Sequence, residues 1–373
     1  MNRLSDLRIL LTTDTIGGVW TYASGLASAL ASRGADVHLV TMGPPPREDQ
    51  RAMISASSVH LVETSLALEW QDPEGRNVAA ARRFLGGLEA RLRPDMVHLN
   101  SFREAAFEWN CPAVIGAHSC VNSWAAACKD TAWLSEARWR NYAGAVAAGL
   151  HHAQAWVCPS RAYHDIVVDL YRPRSPGFVI WNGIASADAP PDRKGDFILA
   201  AGRMWDAAKN LSTLLHAGGR LNWPVLVAGP AESSQNGPSA IQLLGQVSHA
   251  ELARLMRRAA IFVSPALYEP FGLSVLEAAS AGCALVLSDI PTFRELWDGA
   301  AFFVDPTDAT VLHRTLAELS GDAAKRTALQ QAAAARSRNY SLRRMIDCYV
   351  VLYQGLLAPG PKPTLTPALE ASL

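Results

Sequence analysis

The sequence predicts an α/β fold with two doubly wound domains, each a parallel sheet flanked by helices. Short apolar runs of strand length alternate with longer segments in which apolar residues recur at helical spacing. A length of 373 residues is enough for two cores of roughly 180 residues each. Near the middle of the chain, between Trp181 and Asp192, the sequence changes to mainly small, polar and proline residues. The domain boundary is predicted there.

The first predicted domain spans residues 1–180. Its strands are runs rich in Val, Ile and Leu, and its helices carry apolar residues three and four positions apart. Ser101 and Glu104 have the spacing of a capping box, which predicts a helix start. The predicted strands are 8–13, 37–41, 59–63, 96–99, 113–117 and 156–159, and the predicted helices are 19–32, 76–92, 123–152 and 161–170.

The second predicted domain spans residues 181–340. Its first helix starts near Asn210, and Ser248 with Glu251 forms another capping box. The predicted strands are 197–201, 225–228, 241–244 and 260–263, and a buried helix follows at 272–282. An amphipathic helix is predicted for 341–357, and the proline-rich residues 358–373 are predicted to form a loose tail.

Composition narrows the class of protein. Hydrophobic residues make up 49% and charged residues 18%, which is typical of a globular chain, and 34 basic side chains balance 34 acidic ones. This balance argues against nucleic acid as a partner. The short basic runs at 82–83 and 91–93 favour solvated helix faces, while weak peripheral contact with the inner membrane face stays open. Six cysteines without metal-finger spacing and a start without a signal-type apolar run predict a cytoplasmic protein with reduced thiols.

Two acids eight residues apart, Glu269 and Glu277, flank a predicted helix start at the carboxyl end of a strand. Open α/β sheets bind ligands at that end of their strands. The free backbone N–H groups of Gly272, Leu273 and Ser274 suit a phosphate, and Glu277 can accept hydrogen bonds from sugar hydroxyls. The segment therefore predicts a site for a phosphorylated sugar compound.

Three further groups of candidate residues lie at predicted strand ends. Arg203 and Lys209 flank the loop after strand 197–201 and could converge on one anion, although these residues alone favour an ordinary solvated loop. Gly17 and Gly18 would let a ligand approach the backbone closely, and a plain tight turn explains them equally well. His118 could contact a sugar hydroxyl, but a lone histidine is more often structural.

On these motifs the chain resembles the retaining glycosyltransferases of family 4, from Gly17 to about Leu357. The resemblance implies the GT-B fold, two Rossmann-like domains facing across a cleft, with the last helix returning to the N-terminal domain. It also implies that the donor lies mainly on the second domain, the acceptor mainly on the first, and a hinge at 181–192. It assigns Gly17 and Gly18 to the donor diphosphate and acceptor, Arg203 and Lys209 to the diphosphate, His118 and Glu269 to the transferred sugar, Glu277 to the ribose, and Val247 to the base.

The function implied is transfer of a hexose from a nucleoside-diphosphate sugar to an acceptor hydroxyl with retained anomeric configuration. The acceptor could be a saccharide, a lipid-linked compound or a small molecule. No cofactor and no metal are expected, because the chain has no Asp-x-Asp motif and the cations and helix N-termini can neutralise a diphosphate. Two alternatives stay open. One is a nicotinamide-dependent oxidoreductase, although residues 41–44 lack the acid that such a fold uses, and the other is a GT-B binding protein without turnover.

Overall fold

The computed structural model describes residues 7–185, 192–231 and 240–358. It divides into two compact units, one that runs to Gly183 and resumes at Leu342, and one from Ile184 to Ser341. Half of the predicted hinge and nearly all of the predicted tail lie outside the described residues. Within the described ranges, every helix is too short or too polar to cross a membrane.

The first unit contains a seven-stranded, all-parallel sheet in the order β3-β2-β1-β4-β5-β6-β7. The chain first builds outward from β1 through β2 and β3, and then returns to place β4 on the other side of β1. The strands are β1 (Arg8–Asp14), β2 (Asp36–Met42), β3 (His60–Val62), β4 (Met96–Leu99), β5 (Ala113–Gly116), β6 (Ala155–Cys158) and β7 (Gly177–Val179). The helices are α1 (Gly18–Ser32), α2 (Glu48–Ala52), α3 (Val78–Leu92), α4 (Val121–Ala127), α5 (Ala137–His152) and α6 (Arg161–Tyr171).

The second unit contains a six-stranded parallel sheet in the order β10-β9-β8-β11-β12-β13. Its strand order reverses between β8 and β11. The strands are β8 (Gly195–Ala201), β9 (Val225–Ala228), β10 (Ile241–Gly245), β11 (Ala259–Ser264), β12 (Ala284–Ser288) and β13 (Phe302–Val304). The helices are α7 (Leu211–Gly218), α8 (His249–Arg258), α9 (Leu273–Ser280), α10 (Pro291–Trp297), α11 (Ala309–Gly321) and α12 (Ala323–Ser337), and α13 (Leu342–Leu357) belongs to the first unit.

Burial explains why the strands could be predicted. Parallel strands covered by helices on both faces need apolar side chains at consecutive positions. Ile9, Leu10 and Leu11 of β1 are fully buried, and so are Ile261 and Phe262 of β11. The two doubly wound sheets confirm the predicted fold class.

Two local predictions in the first unit are wrong. The helix predicted for 123–152 is interrupted between α4 and α5, where Lys129 adopts a left-handed backbone conformation with φ 55°. Ser101 starts no α-helix, because a short 3-10 turn, Arg103–Ala106, follows instead. Glu104 is fully buried and pairs with the Arg103 guanidinium at 3.0 Å, so it is not the solvent-facing acid of a capping box.

Candidate functional site

Two loops in the second unit follow the adjacent strands between which the strand order reverses. Residues 202–210 follow β8 and residues 265–272 follow β11, and we call them the switch-point loops. Ligands of open parallel sheets bind outside the carboxyl ends of the strands at such a reversal. The Leu267 N–H donates to the Ala208 carbonyl at 2.8 Å, so the two loops are joined by backbone as well as by side chains.

Lys209 and Glu269 form an ion pair between the two switch-point loops. Lys209 Nζ lies 2.5 Å from Glu269 Oε2, and the side chains are only 19% and 15% exposed. An ammonium has three donors, so the pair leaves Lys209 with N–H groups for other anionic oxygens. Asn210 fixes the base of this arrangement, because its side-chain amide donates to the carbonyls of Pro265 and Pro306.

Arg203 is held at the other end of the first switch-point loop. Its Nη2 donates to Asp206 Oδ2 at 3.2 Å, and its guanidinium carbon lies 5.6 Å from the centre of the Trp205 ring. The buried Asp206 also accepts the Ala208 N–H through Oδ1 and so caps the short 3-10 turn that carries Lys209. One buried acid therefore orients the loop that carries both cations.

Helix α9 is preceded by a glycine whose backbone is left-handed. Gly272 has φ 90° and ψ 64°, and no side chain caps the helix. A Cβ at this position would lie 3.1 Å from a Phe293 ring carbon and 3.3 Å from Glu269 Cγ, so glycine lets the loop pack closely. Leu273 and Ser274 form the first turn and are half-buried. The first-turn N–H groups and the helix dipole make this end of α9 suitable for an anion.

Glu277 lies one turn further along α9, with 20% of its side chain exposed. Its Oε1 is 3.5 Å from Nε2 of His249, which is the first residue of α8. Val247 lies two residues before α8 and is half-buried. Six of the nine predicted donor-binding residues therefore lie in the switch-point loops or in the first two turns of α9. A seventh, Val247, follows β10 in the same unit.

In the first unit, Gly17 and Gly18 lie after β1, the strand at which that sheet reverses. Gly17 has φ 90° and precedes α1, which has no side-chain cap and no acid in its first turn. Both glycines are exposed. Like α9, this helix follows a glycine with positive φ and has no side-chain cap, although Gly17 has ψ −143° and Gly272 has ψ 64°.

His118 follows β5 and is held by a residue that the sequence interpretation missed. Asn100, the first residue after β4, donates through Nδ2 to the Thr12 carbonyl at 2.7 Å. This bond directs its Oδ1 to His118 Nε2 at 2.8 Å. Because Oδ1 can only accept, His118 Nε2 carries the proton and Nδ1 is an acceptor. Burial lowers the pKa of His118 to about 4, so the imidazole is neutral at pH 7.

A buried polar network links this histidine to α13. The Tyr22 ring packs edge-on against His118 at 4.4 Å between centroids, and the Tyr22 hydroxyl donates to Tyr349 at 2.6 Å. His98 Nδ1 lies 2.5 Å from the Tyr353 hydroxyl, and burial lowers the pKa of His98 to about 3. Within the first unit, α13 therefore helps to position the groups around His118.

Three residues beyond the predicted set support the site: Asn100, Asp206 and His249. Asn100 could have been found as the polar residue directly after β4, because β4 is the strand placed beside β1. Asp206 could have been found as an Asx-type cap two residues before the Ala208 N–H. His249 is adjacent to Glu277 only through the packing of α8 on α9, for which the sequence carries no signal.

The lowered pKa of His118 predicts how stability depends on pH. Between pH 6.5 and 4 the unfolded chain protonates His118 and the folded chain does not, so the free energy of unfolding falls as the pH falls. One group contributes roughly 1.4 kcal/mol per pH unit. Burial and the nearby Glu104 raise the pKa of Glu69 to about 7, which contributes with the opposite sign. We therefore expect the difference in the free energy of unfolding between the wild type and His118→Asn to shrink by roughly 1.4 kcal/mol from pH 7.5 to 5.5. Urea unfolding at the two pH values measures this change. A pH-independent difference would contradict the neutral assignment.

Two family models match the chain in succession. Glycosyltransferase Family 4 matches residues 16–187, and glycosyl transferases group 1 matches residues 185–336. Together they span residues 16–336, which include all the predicted site residues. The chain belongs to the family 4 and group 1 glycosyltransferases with the GT-B fold, as the motif resemblance predicted. It is a transferase of class EC 2.4 and acts on nucleotide sugars.

Individual relatives agree with this assignment. A glycogen synthase of Mycobacterium tuberculosis is 27% identical, over 89% of this chain and 87% of the relative. A phosphatidyl-myo-inositol mannosyltransferase of Mycolicibacterium smegmatis is 34% identical, over 33% of this chain and 36% of the relative. Sucrose-phosphate synthase from Thermosynechococcus elongatus has a TM-score of 0.76 at 16% identity, over 95% of this chain and 100% of that chain. Anabaena Alr3699/HepE in complex with UDP-glucose has a TM-score of 0.70 at 15% identity, over 92% and 98%. The two structural matches establish the fold alone.

Proposed function

We propose that this protein transfers a hexose from a nucleoside-diphosphate sugar to an acceptor hydroxyl with retention of anomeric configuration, and that it needs no metal ion or cofactor. The observation that carries the proposal is the Lys209–Glu269 ion pair beside the uncapped start of α9, at the strand reversal of the second sheet. A half-buried cation and a helix N-terminus together match the charge that develops on a leaving diphosphate.

Leaving-group stabilisation is assigned to Lys209, Arg203 and the amides from Gly272 to Ser274. Breaking the bond from the anomeric carbon to the β-phosphate oxygen leaves that oxygen with an additional negative charge. Lys209 supplies a point charge, and Arg203 a planar pair of donors that Asp206 orients. Groups held in place before the reaction stabilise this charge without a reorganisation cost, and removing one such donor typically costs about 10²- to 10³-fold in rate.

The remaining residues are proposed to position the donor. Glu277 would accept hydrogen bonds from the ribose hydroxyls, and backbone at Val247 would meet the base. Glu269, whose second carboxylate oxygen is not used by Lys209, would contact the transferred sugar. His118 would accept a hydrogen bond from a sugar hydroxyl through Nδ1, because Asn100 holds its Nε2 proton. A neutral imidazole suits such a contact and does not serve as a cationic acid at pH 7.

Glucose is the hexose that the comparisons favour. The relative that aligns with 89% of this chain is named a glycogen synthase, and a protein of the same fold was solved with UDP-glucose. The mannosyltransferase match covers a third of the chain and supports mannose less. The proposed acceptor is a saccharide, a lipid-linked compound or a small molecule that bears a free hydroxyl.

The proposal predicts release of a nucleoside diphosphate only from sugar nucleotides, and product in the α configuration from an α-linked donor. A panel of UDP-, ADP- and GDP-hexoses with maltooligosaccharide and simple glycoside acceptors would be assayed by nucleotide release. The anomeric configuration of the product would be measured by NMR. EDTA should leave the rate unchanged.

Each part of the proposal has its own contrary result. A β-linked product from an α-linked donor would contradict retention, and loss of activity in EDTA without a fall in melting temperature would contradict metal-independent transfer. Tight binding of sugar nucleotides in a thermal-shift assay without any nucleotide release would support the binding-protein alternative. Reduction of NAD by a sugar or alcohol would support the oxidoreductase alternative.

A further inference from the structure

Three potential metal ligands meet at the amino ends of β2 and β3, away from the residues discussed so far. Asp36 and His38 are two positions apart on β2 and therefore project from the same face of the sheet. His60, the first residue of β3, is the direct parallel partner of His38. Register thus gathers Asp36, His38 and His60, and their ligand atoms all lie within 4.8 Å of one another.

The separations of Asp36 from the two histidines fit the edges of a tetrahedron around one small cation. Asp36 Oδ1 lies 3.1 Å from His38 Nε2 and 3.5 Å from His60 Nε2. Zinc binds imidazole nitrogen and carboxylate oxygen at about 2.0–2.1 Å, which puts neighbouring ligand atoms of a tetrahedron about 3.4 Å apart. The two rings stack at 4.7 Å between centroids and 19° between planes, so the His60 ring must turn before both Nε2 atoms can face one ion. The His60 side chain is 63% exposed, so its ring can rotate to complete the geometry.

The contacts of Asp36 orient its carboxylate as a metal ligand would need. Arg8 Nε donates to Asp36 Oδ2 at 2.7 Å, which leaves Oδ1 directed toward the histidines. Hydrogen bonds of this kind orient the ligands of metal sites. The Arg8 charge opposes a cation, although its guanidinium is bonded to Asp36 Oδ2 and to the Leu92 carbonyl and leaves Oδ1 to the histidines.

We propose that Asp36, His38 and His60 bind one Zn²⁺ ion, with the fourth position open to water. Two nitrogen ligands favour zinc over Mg²⁺ or Ca²⁺, which prefer oxygen. The site lies at the start of the sheet, whereas Gly17 follows its end, and the seven residues of β1 between these levels span about 20 Å. The ion would therefore not take part in transfer. It would join β2 to β3, a three-residue strand at the edge of the sheet, and so stabilise the first unit.

The site was missed in the sequence because His60 lies 22 positions after His38, and only the parallel register brings them together. No metal was predicted because the cations can neutralise a diphosphate and the cysteines lack metal-finger spacing. Neither observation concerns the residues at this edge of the sheet.

The test is calorimetric titration of the tag-free, EDTA-dialysed full chain with ZnCl2, alongside its melting temperature. We expect one Zn²⁺ per chain and a rise in Tm, with no response to MgCl2 at the same concentration. His60→Ala should weaken Zn²⁺ binding at least about 10-fold, since it removes a ligand of a three-ligand site. His216→Ala changes another exposed histidine, on α7, and should bind zinc like the wild type.

The alternative is that the cluster is an ordinary hydrogen-bonded group, and zinc binds elsewhere or not at all. Absence of stoichiometric binding to the wild type would overturn the proposal. Equal affinity of wild type and His60→Ala would also overturn it, because the ion would then be held by other groups such as the half-buried Cys111 or Cys128. Because His60 is exposed, its alanine variant should fold normally, and an unchanged Tm in EDTA would verify this. Tetrahedral visible bands with Co²⁺, lost in His60→Ala, provide an independent readout.

Discussion

Replacing Lys209 with alanine is expected to lower kcat/KM for the sugar nucleotide by roughly 10²- to 10³-fold. The change removes the cation that would stabilise the leaving diphosphate, and it leaves the Glu269 carboxylate half-buried without its partner. Steady-state nucleotide release measures the loss. Because the diphosphate is also held in the bound state, affinity for the free nucleoside diphosphate should fall, whereas affinity for the nucleoside should not.

Lys325 offers a matched control for this substitution. It also pairs with a glutamate, Glu318, but the pair lies on α11 and α12 and its side chains are 37% and 50% exposed. Exposed pairs contribute about 0–1 kcal/mol, so Lys325→Ala should change neither turnover nor melting temperature appreciably. Turnover of Lys209→Ala within twofold of the wild type would refute the assigned role.

A second variant separates loss of chemistry from loss of structure. Lys209→Ala combined with Glu269→Gln removes the unpaired carboxylate charge, so the melting temperature should recover relative to Lys209→Ala alone. Turnover should not recover, since no cation is restored and Glu269, which is assigned to the transferred sugar, has lost its charge. If turnover returned together with stability, the ion pair would serve only to hold the two switch-point loops in place.

The sequence was sufficient to predict the parallel sheets because their interior strands are apolar on both faces. β4 and β9 were predicted with their observed bounds, and β11 to within one residue. The short edge strand β13 and strand β12 received no prediction, although β12 is as buried as β11. The helical region after Ser123 was overextended because the alanine-rich composition at both ends favours a helix, whereas the turn at Lys129 depends on tertiary packing.

The candidate site also contains residues that the sequence indicates and residues that only the folded chain brings together. Glu269 and Gly272 stand out in sequence because strand ends and helix starts are local features, whereas Lys209 was selected through the family resemblance. Asn100 and Asp206 do not stand out, since each acts through a hydrogen bond whose partner depends on the folded chain. The proposed zinc ligands are the extreme case, because a 22-residue separation is closed only by strand register.

The second large effect is expected for Gly229→Ala, at the end of β9. Gly229 has φ 134°, and a Cβ there would collide with the carbonyl carbon and oxygen of Gly202, the residue before Arg203. The added Cβ would collide with backbone atoms, and the Gly229 N–H is itself bonded to the Gly245 carbonyl at 2.7 Å. Neither segment can therefore move without a substantial cost in free energy. Backbone strain of about 1–3 kcal/mol and overpacking of about 1–3 kcal/mol together predict a loss of roughly 2–6 kcal/mol in the free energy of unfolding.

Gly245→Ala is the control, because Gly245 also has a positive φ, 64°, but an added Cβ meets nothing within 4 Å. Its cost should be about 1–2 kcal/mol, which is the left-handed backbone penalty alone. Urea unfolding of the two variants distinguishes collision from conformation, and equal losses would show that contact with Gly202 contributes nothing. To the extent that the first switch-point loop moves to relieve the collision, Arg203 moves with it, so nucleotide affinity should fall in Gly229→Ala and remain unchanged in Gly245→Ala.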